Sequence, residues 1–251
     1  MNPSILHAFA QAEQYAEQAE VQRQVAERLA ARLCLPMAKP HMLEWGCGTG
    51  FLSRLLQQRW PQGRLLCSDL AWPMVQRCRT VCGATANIGY LVADGQQPPF
   101  ATAAFDLIAA SMVMQWFTEP LLTLRQWHDL LRPGGRVAFA TLAPGTFHEW
   151  RGTCQALGLP HGIADYPLAD GWFNAWPSDG ERQLQEERIT VHHPSGLAFL
   201  QHLRAVGAHL PAPGYHPLSA GGLRRILRSL TSREGMQVTY VIYYGIFVKG
   251  E

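Results

Sequence analysis

Met42-Leu43-Glu44-Trp45-Gly46-Cys47-Gly48-Thr49-Gly50-Phe51 sets three glycines at alternate positions directly behind a short apolar run and an acid. Glycines spaced this way let the backbone turn sharply out of a strand, bring main-chain N–H groups against a ligand and open a helix with no Cβ in the way. The stretch therefore reads as the end of a strand, a cofactor loop and the start of a helix. Its spacing excludes two common loops. A dinucleotide turn, G-x-G-x-x-G, needs glycine where Phe51 stands, and a phosphate-binding P-loop needs Gly-Lys-Ser/Thr, which does not follow. What remains is E-x-G-x-G-x-G, without a basic residue.

Outward from this loop, short apolar runs alternate with helical stretches. Strands are expected near 41–45, 64–68, 89–93 and 105–110, with helices over 50–60 and 72–82. A helix from about 119 to 131 is stopped by Arg132-Pro133-Gly134-Gly135 and leads into the strand Val137-Ala138-Phe139-Ala140-Thr141. Such a series builds a doubly wound, mostly parallel α/β sheet. Upstream, Val21, Val25, Leu29 and Leu33 recur at helical spacing in an amphipathic helix expected from Ala8 to Leu35, ending before Pro36. Between Pro144 and Glu187 the periodicity weakens and helix and loop are expected. A strand near 188–192, helices near 195–207 and 219–230 and a last strand from Val238 to Val248 complete the chain. Helices inserted among late strands are candidates for a lid.

The 251 residues suffice for one α/β domain. Its expected parts are an amino-terminal helical lid (1–36), a cofactor-binding core (41–142), insertions and lid helices (143–236) and a carboxyl-terminal strand (237–251). Hydrophobic residues at 47% and charged residues at 16% exclude a disordered chain, and no apolar run reaches the roughly 20 residues of a membrane span. The first 20 residues lack a basic start with an apolar centre and carry Glu13, Glu17 and Glu20, so cytoplasmic residence is expected. A net charge of +2 gives no reason to invoke nucleic acid. Cys34, Cys47, Cys67, Cys78, Cys82 and Cys154 include no C-x-x-C pair, so neither a disulfide framework nor a metal site is expected.

The glycine loop resembles the first motif of class I methyltransferases that use S-adenosylmethionine (SAM), whose ribose and adenine come without a phosphate. The Arg-Pro-Gly-Gly turn resembles a second landmark of that fold. Ligands of open parallel sheets sit beyond the carboxyl ends of the strands, where strand order reverses, and each expected strand end carries a suitable group. Asp69 ends the second strand a little over 20 residues after Gly46, about the spacing at which an acid reaches ribose hydroxyls. Asp94-Gly95 ends the third and would meet the adenine amino group, while Ser111 ends the fourth and faces the methionine part. Glu44 would hold the loop or contact the ammonium group. Gly46, Cys47, Gly48, Gly50 and Leu70 complete the cofactor-binding set. An Asp after a strand is often only a helix cap; four such ends in the right order point to a site.

More of the chain is similar to a narrower family, the malonyl-acyl-carrier-protein O-methyltransferases of biotin synthesis. The resemblance rests on Phe9, Tyr15, Ala19 and Gln22-Arg23 before the core, Gln115-Trp116 after the fourth strand, and Thr141-Leu142 with Pro144-Gly145-Thr146 after the fifth. Leu203-Arg204 with Gly207-Ala208 in the lid, and Thr239-Tyr240 with Tyr244-Gly245 near the end, extend it. Glu44-Trp45 departs from the family's usual Asp and small or apolar residue, and 158–176 follows no family pattern. The resemblance implies methyl transfer from SAM, leaving S-adenosylhomocysteine, to the free carboxylate of a malonyl thioester on acyl carrier protein. It implies Tyr15 and Arg204 as partners of that carboxylate, with Gln22, Gln115 and Trp116 lining the SAM or acyl site. No residue is expected to act as acid or base, and no metal or membrane is implied. Arg224, Arg225 and Arg228 share a helix and could meet an acidic carrier protein, although such runs are commonly solvated faces. His192-His193 would point to opposite sides of a strand. The alternatives are a SAM-dependent methyltransferase of another small molecule, such as a quinone precursor or a natural-product acid, and a SAM-binding protein without catalysis.

Overall fold

The computed structural model describes residues 18–208, 210–212 and 214–250. The first described helix, α1 (Glu20–Arg32), precedes β1 (His41–Trp45), α2 (Phe51–Arg59), β2 (Arg64–Asp69), α3 (Trp72–Cys82), β3 (Ile88–Val92) and β4 (Phe105–Ser111). After a short 3₁₀ turn (Met114–Trp116) come α4 (Pro120–Leu130), β5 (Leu131–Leu142), α5 (His148–Ala156), α6 (Ala169–Ala175) and β6 (Arg182–His193). The chain closes with α7 (Gly196–Ala205), α8 (Ala220–Leu230) and β7 (Met236–Val248).

The sheet order is β3-β2-β1-β4-β5-β7-β6. The first five strands in that order run parallel, and β7 lies antiparallel between β5 and β6. Strand order reverses between β1 and β4, which leaves a crevice at their carboxyl ends. Every expected strand and helix of the core is present, within a residue or two at each end except for β5, which starts at Leu131 rather than Val137. The alternation of side chains across a strand divides the interior into two layers. Met42, Leu65, Leu107, Ala109, Ala138 and Ala140 face one, together with α1, α2 and α3. Leu43, Trp45, Ile108, Ala110, Val137 and Phe139 face the other, with Trp127 of α4 and Trp172 of α6.

Three departures from the sequence reading have local causes. Arg132-Pro133-Gly134-Gly135 does not form a free turn but belongs to β5, where the register slips between Phe105 opposite Leu131 and Leu107 opposite Arg136. Proline lacks the N–H a regular ladder needs, so it sits in the irregularity. β6 starts at Arg182, well before 188, and pairs with β7 from Arg182 opposite Phe247 to His193 opposite Met236. Its first half, Arg-Gln-Leu-Gln-Glu-Glu-Arg, is an exposed edge whose charges discourage pairing with another chain and hide the strand pattern. The described part of the amino-terminal helix, expected as a lid, is a layer of the sheet: Val21, Val25, Leu29 and Leu33 are almost fully buried. Each such burial is worth roughly 1.5–3 kcal/mol. The expected start of this helix, from Ala8, lies outside the described residues.

β7 is longer than the part of it that pairs with β5. From Val241 back to Met236 it forms a two-stranded ribbon with β6 that continues past Leu142, beyond the carboxyl ends of the parallel strands. α7 and α8 connect the outer ends of this ribbon, and α8 packs on α5 and α7. The inserted helices thus cap the end of the molecule where the crevice opens.

Candidate active site

The crevice is an open cleft, with about 670 Å³ of empty space counted together with the solvent at its mouth. Its wall is made by the ends of four strands: Trp45, Gly46 and Gly48 after β1, Asp69 and Leu70 after β2, Asp94 and Gly95 after β3, and Ser111, Met112 and Val113 after β4. Trp116 and Phe117 close the far side.

The glycine loop divides its work. Gly46 has φ +66°, and a Cβ there would lie 2.6 Å from Val113 Cγ2, so any side chain would be strained and would collide with the β4 wall. Gly48 donates its N–H to Asp69 Oδ2 at 3.0 Å, which ties the loop to the end of β2. Gly50 (φ +90°) is not on the wall; its Cα faces Cys78 and Cys82 of α3, so the third glycine serves helix packing. Cys47 is likewise turned inward. Its thiol contacts Cys78, which also meets Cys67, Cys82 and Ser53. Hydrogen bonding to Cys78 together with burial pushes the Cys47 thiol up, away from reactivity.

Glu44 is 1% exposed and lies under the loop rather than in the cleft. It accepts a 2.5 Å hydrogen bond from Ser53 Oγ of α2, and burial pushes its carboxyl well above the ordinary range. Ser53 lies in the first turn of α2, so this bond braces the helix into which the glycine loop leads. Asp69 accepts from Ala71 N at 2.8 Å through Oδ1 as well as from Gly48 N. Burial raises its carboxyl and these N–H groups oppose the rise. Asp94 Oδ1 accepts from Gln96 N at 2.9 Å, and Gly95 O accepts from Trp127 Nε1 at 2.8 Å.

Met112 follows Ser111 with φ +57°, a costly conformation for a long side chain and one that collects at functional sites. Two bonds hold it: Met112 N donates to Ala140 O at 2.8 Å, and Gln115 Nε2 donates to Met112 O at 2.8 Å. Thr141 Oγ1 in turn donates to Gln115 Oε1 at 3.2 Å. Gln115 therefore stands behind the wall and supports it, whereas Trp116 lines it. Gln22, in the first turn of α1, is half-buried with an Oε1 that has no hydrogen-bond partner among the described residues, and it is not on the wall. Arg204 is on the exposed side of α7, away from the cleft lining. Tyr15 lies outside the described residues. Sequence reasoning passed over Trp45, Ala71, Met74, Ala93, Met112, Val113 and Phe117 as wall residues; they flank the motifs, but apolar residues at strand ends carry no distinguishing signal.

The wall fits an adenosine-type ligand without phosphate. Among the described lining residues the only ionisable groups are Asp69 and Asp94. Trp45 Nε1 is buried and has no hydrogen-bond partner among the described residues. No cluster of three or more His, Cys, Asp or Glu able to hold a metal is found among them, and no described helix is long and apolar enough to cross a membrane.

A family profile described as a methyltransferase domain matches residues 43–139, the span from β1 through β5. The fold is also that of solved methyltransferases. A proposed methyltransferase from Bacillus halodurans superposes with a TM-score of 0.66 at 11% identity, covering 91% of this chain and all of that one. Geranyl diphosphate C-methyltransferase from Streptomyces coelicolor, solved with S-adenosyl-L-homocysteine, gives 0.54 at 14% identity, covering 94% and 82%. Sheet order, cleft and profile define a class I methyltransferase that uses SAM. A malonyl-[acyl-carrier protein] O-methyltransferase from Magnetococcus marinus is 41% identical over 84% of this chain and 78% of its own length. The biotin biosynthesis bifunctional protein of Bordetella avium is 40% identical over 85% of this chain, which spans 44% of that longer protein. The chain belongs to the malonyl-[acyl-carrier protein] O-methyltransferase family.

Proposed function

We propose that this protein transfers a methyl group from SAM to the free carboxylate of a malonyl thioester on acyl carrier protein, the step that its family performs for biotin synthesis. The observation that carries the reading is the chemistry of the wall: two carboxylates at the β2 and β3 ends, both tied to backbone N–H groups, and no ionisable side chain at the β4 end among the described residues. Such a wall offers no group poised to take a proton. A malonyl carboxylate needs none, because carboxylic acids with pKa values of roughly 4 are ionised at neutral pH.

Bound SAM supplies an activated methyl and a sulfonium charge that favours an anionic nucleophile. The chain's own residues bind, orient and exclude water. Asp69 would accept from the ribose hydroxyls, Asp94 and Gly95 would meet the adenine, and the Gly46–Gly48 backbone and Ser111 would hold the amino-acid part. With both acids assigned to the adenosine, the incoming carboxylate would meet the neutral β4 end, where Trp116, Phe117 and Met112 would exclude water around a weak nucleophile. Gln115 acts by positioning Met112. One domain carries these roles, with 41–142 binding cofactor and 143–236 covering the acyl side.

Incubation of enzyme and SAM with malonyl-acyl carrier protein, acetyl-acyl carrier protein and malonyl-coenzyme A, read by mass spectrometry, tests this. One added methyl on the malonyl carrier protein and none on the acetyl form places the reaction at the free carboxylate. SAM binding without methyl gain on any of them overturns the substrate assignment and leaves the cofactor site intact.

A further inference from the structure

Between Glu187 and Glu234 the sequence has no acidic residue but contains Arg188, Arg204, Arg224, Arg225, Arg228 and Arg233. The whole chain has a net charge of only +2, so the rest of it is net acidic and the basic charge is concentrated in one insertion. This insertion is the cap: it runs from the middle of β6 through α7 and α8 to the turn before β7.

α8 shows how the charge is displayed. Gly222 and Ile226 are buried, Leu223, Leu227 and Leu230 are half-buried in the same layer, and Arg224, Arg225 and Arg228 are exposed on the opposite side. Spacings of three and four put the three arginines on one face. Solvated charged helices usually interleave acids that pair with their bases at these spacings; α8 has none, and its arginines form no hydrogen bond or ion pair among the described residues. A bare guanidinium face repels itself, a cost that an anionic partner removes. Beside it, α7 turns Leu197 outward, 57% exposed, next to Gly196, whose Cα packs against Leu227 of α8.

We propose that the arginine face of α8, with Leu197 at its edge, is the docking surface for the acidic helical surface of the acyl carrier protein. The inference rests on the carrier-protein substrate proposed above. α8 joins the outer ends of the β6–β7 ribbon at the same end of the sheet as the cleft. A carrier protein held there stands at the rim, from which its thioester arm reaches the neutral β4 end. Charged rim residues act mainly on encounter and specificity, so α8 selects the carrier and leaves the chemistry unchanged.

The triple variant R224E/R225E/R228E and the milder R224Q/R225Q/R228Q test this against R54E/R64E/R79E, which makes the same charge change at exposed positions of α2, β2 and α3. Fluorescence anisotropy of labelled holo-acyl carrier protein reads docking without any turnover. Steady-state methylation of malonyl-acyl carrier protein and malonyl-coenzyme A reads its consequence. The expected result is a loss of carrier binding of about tenfold or more for the α8 charge reversal, a smaller loss for the glutamine variant and none for the distant one. KM for malonyl-carrier protein rises in parallel, kcat and malonyl-coenzyme A kinetics stay unchanged, and added salt erases the difference. Equal weakening by the distant variant, or unaltered carrier binding in the α8 variants, overturns the proposal. If the wild type binds carrier through α8 but methylates neither substrate, the docking surface stands and the proposed reaction fails.

Discussion

The cleft wall and the cap at the same end of the sheet are built on different principles. The wall is made within short loops at strand ends: Asp69 fastens Gly48 and Ala71, Glu44 fastens Ser53, and Gly46 leaves room for Val113. Apart from Gly46 and Val113, which meet across β1 and β4, these partners lie within about one βα unit of each other, so local sequence carries most of the wall's geometry. The cap is held by side chains distant in sequence. Thr239 Oγ1 donates to Glu149 Oε1 at 2.6 Å and Thr239 N to Oε2 at 3.2 Å, while Thr146 Oγ1 bridges Val241. The bonds that tie Gly48, Asp69, Ala71, Glu44 and Ser53 together involve no residue of the cap, so the two halves can be damaged separately.

The largest effect is expected at the wall. Gly46→Val imposes both a left-handed φ and a 2.6 Å collision, so SAM affinity should fall about 100-fold or more by calorimetry, since such strain costs of order 1–3 kcal/mol before the clash is counted. A loss of less than threefold, roughly 0.6 kcal/mol, would break the idea that the wall is rigid.

The next effect is on the cap and is set by pH. His193 is 6% exposed on β6; burial, followed by the nearby His202 and His192, pushes its pKa down to about 4 from an ordinary 6.5. The unfolded chain then binds more protons than the folded one between these values. Stability from this group is full above about 6.5 and is lost as pH falls toward 4, by at most roughly 3 kcal/mol. Urea unfolding of His193→Gln should show a flatter acid limb; an unchanged limb would remove His193 as the cause.

Asp69→Asn should weaken SAM binding by about tenfold, near 1.4 kcal/mol, with little change in unfolding. The smallest effect is expected from Glu149→Gln, which removes the charge from the bond to Thr239 and should cost about 1 kcal/mol in urea unfolding. It should raise KM for the acyl substrate while SAM affinity holds. An equal loss of SAM affinity would mean that wall and cap are coupled, and the comparison would need to be redrawn.

The wall was largely legible because its chemistry is local. Gly46 and Gly48, read from the glycine loop, Asp69, Leu70, Asp94, Gly95 and Ser111, read from strand ends, and Trp116, read from the family resemblance, all line the cleft. Gly50 and Cys47 were less legible: whether a loop residue faces ligand or helix depends on α3, whose Cys78 and Cys82 come some 30 residues later. Gln115 illustrates the same limit, since its task is to hold Met112 with help from Thr141. In the cap, β6 was half hidden by the polar residues of an edge strand, and α5 and α6 by weak periodicity over 144–187.

The sequence by itself determined the alternation of strands and helices, the glycine loop, the acids that close the strands and the concentration of arginine late in the chain. These follow from φ preference, side-chain periodicity and charge, which each residue carries wherever it is placed. Only the tertiary structure decided that the described part of the amino-terminal helix is a core layer, that Glu44 supports the cleft from beneath, and that α8 displays its arginines at the cleft's end of the sheet. Those outcomes depend on which surfaces meet when β7 returns antiparallel between β5 and β6, and burial, the source of both the packing energy and the shifts at Glu44 and His193, exists only once they have met.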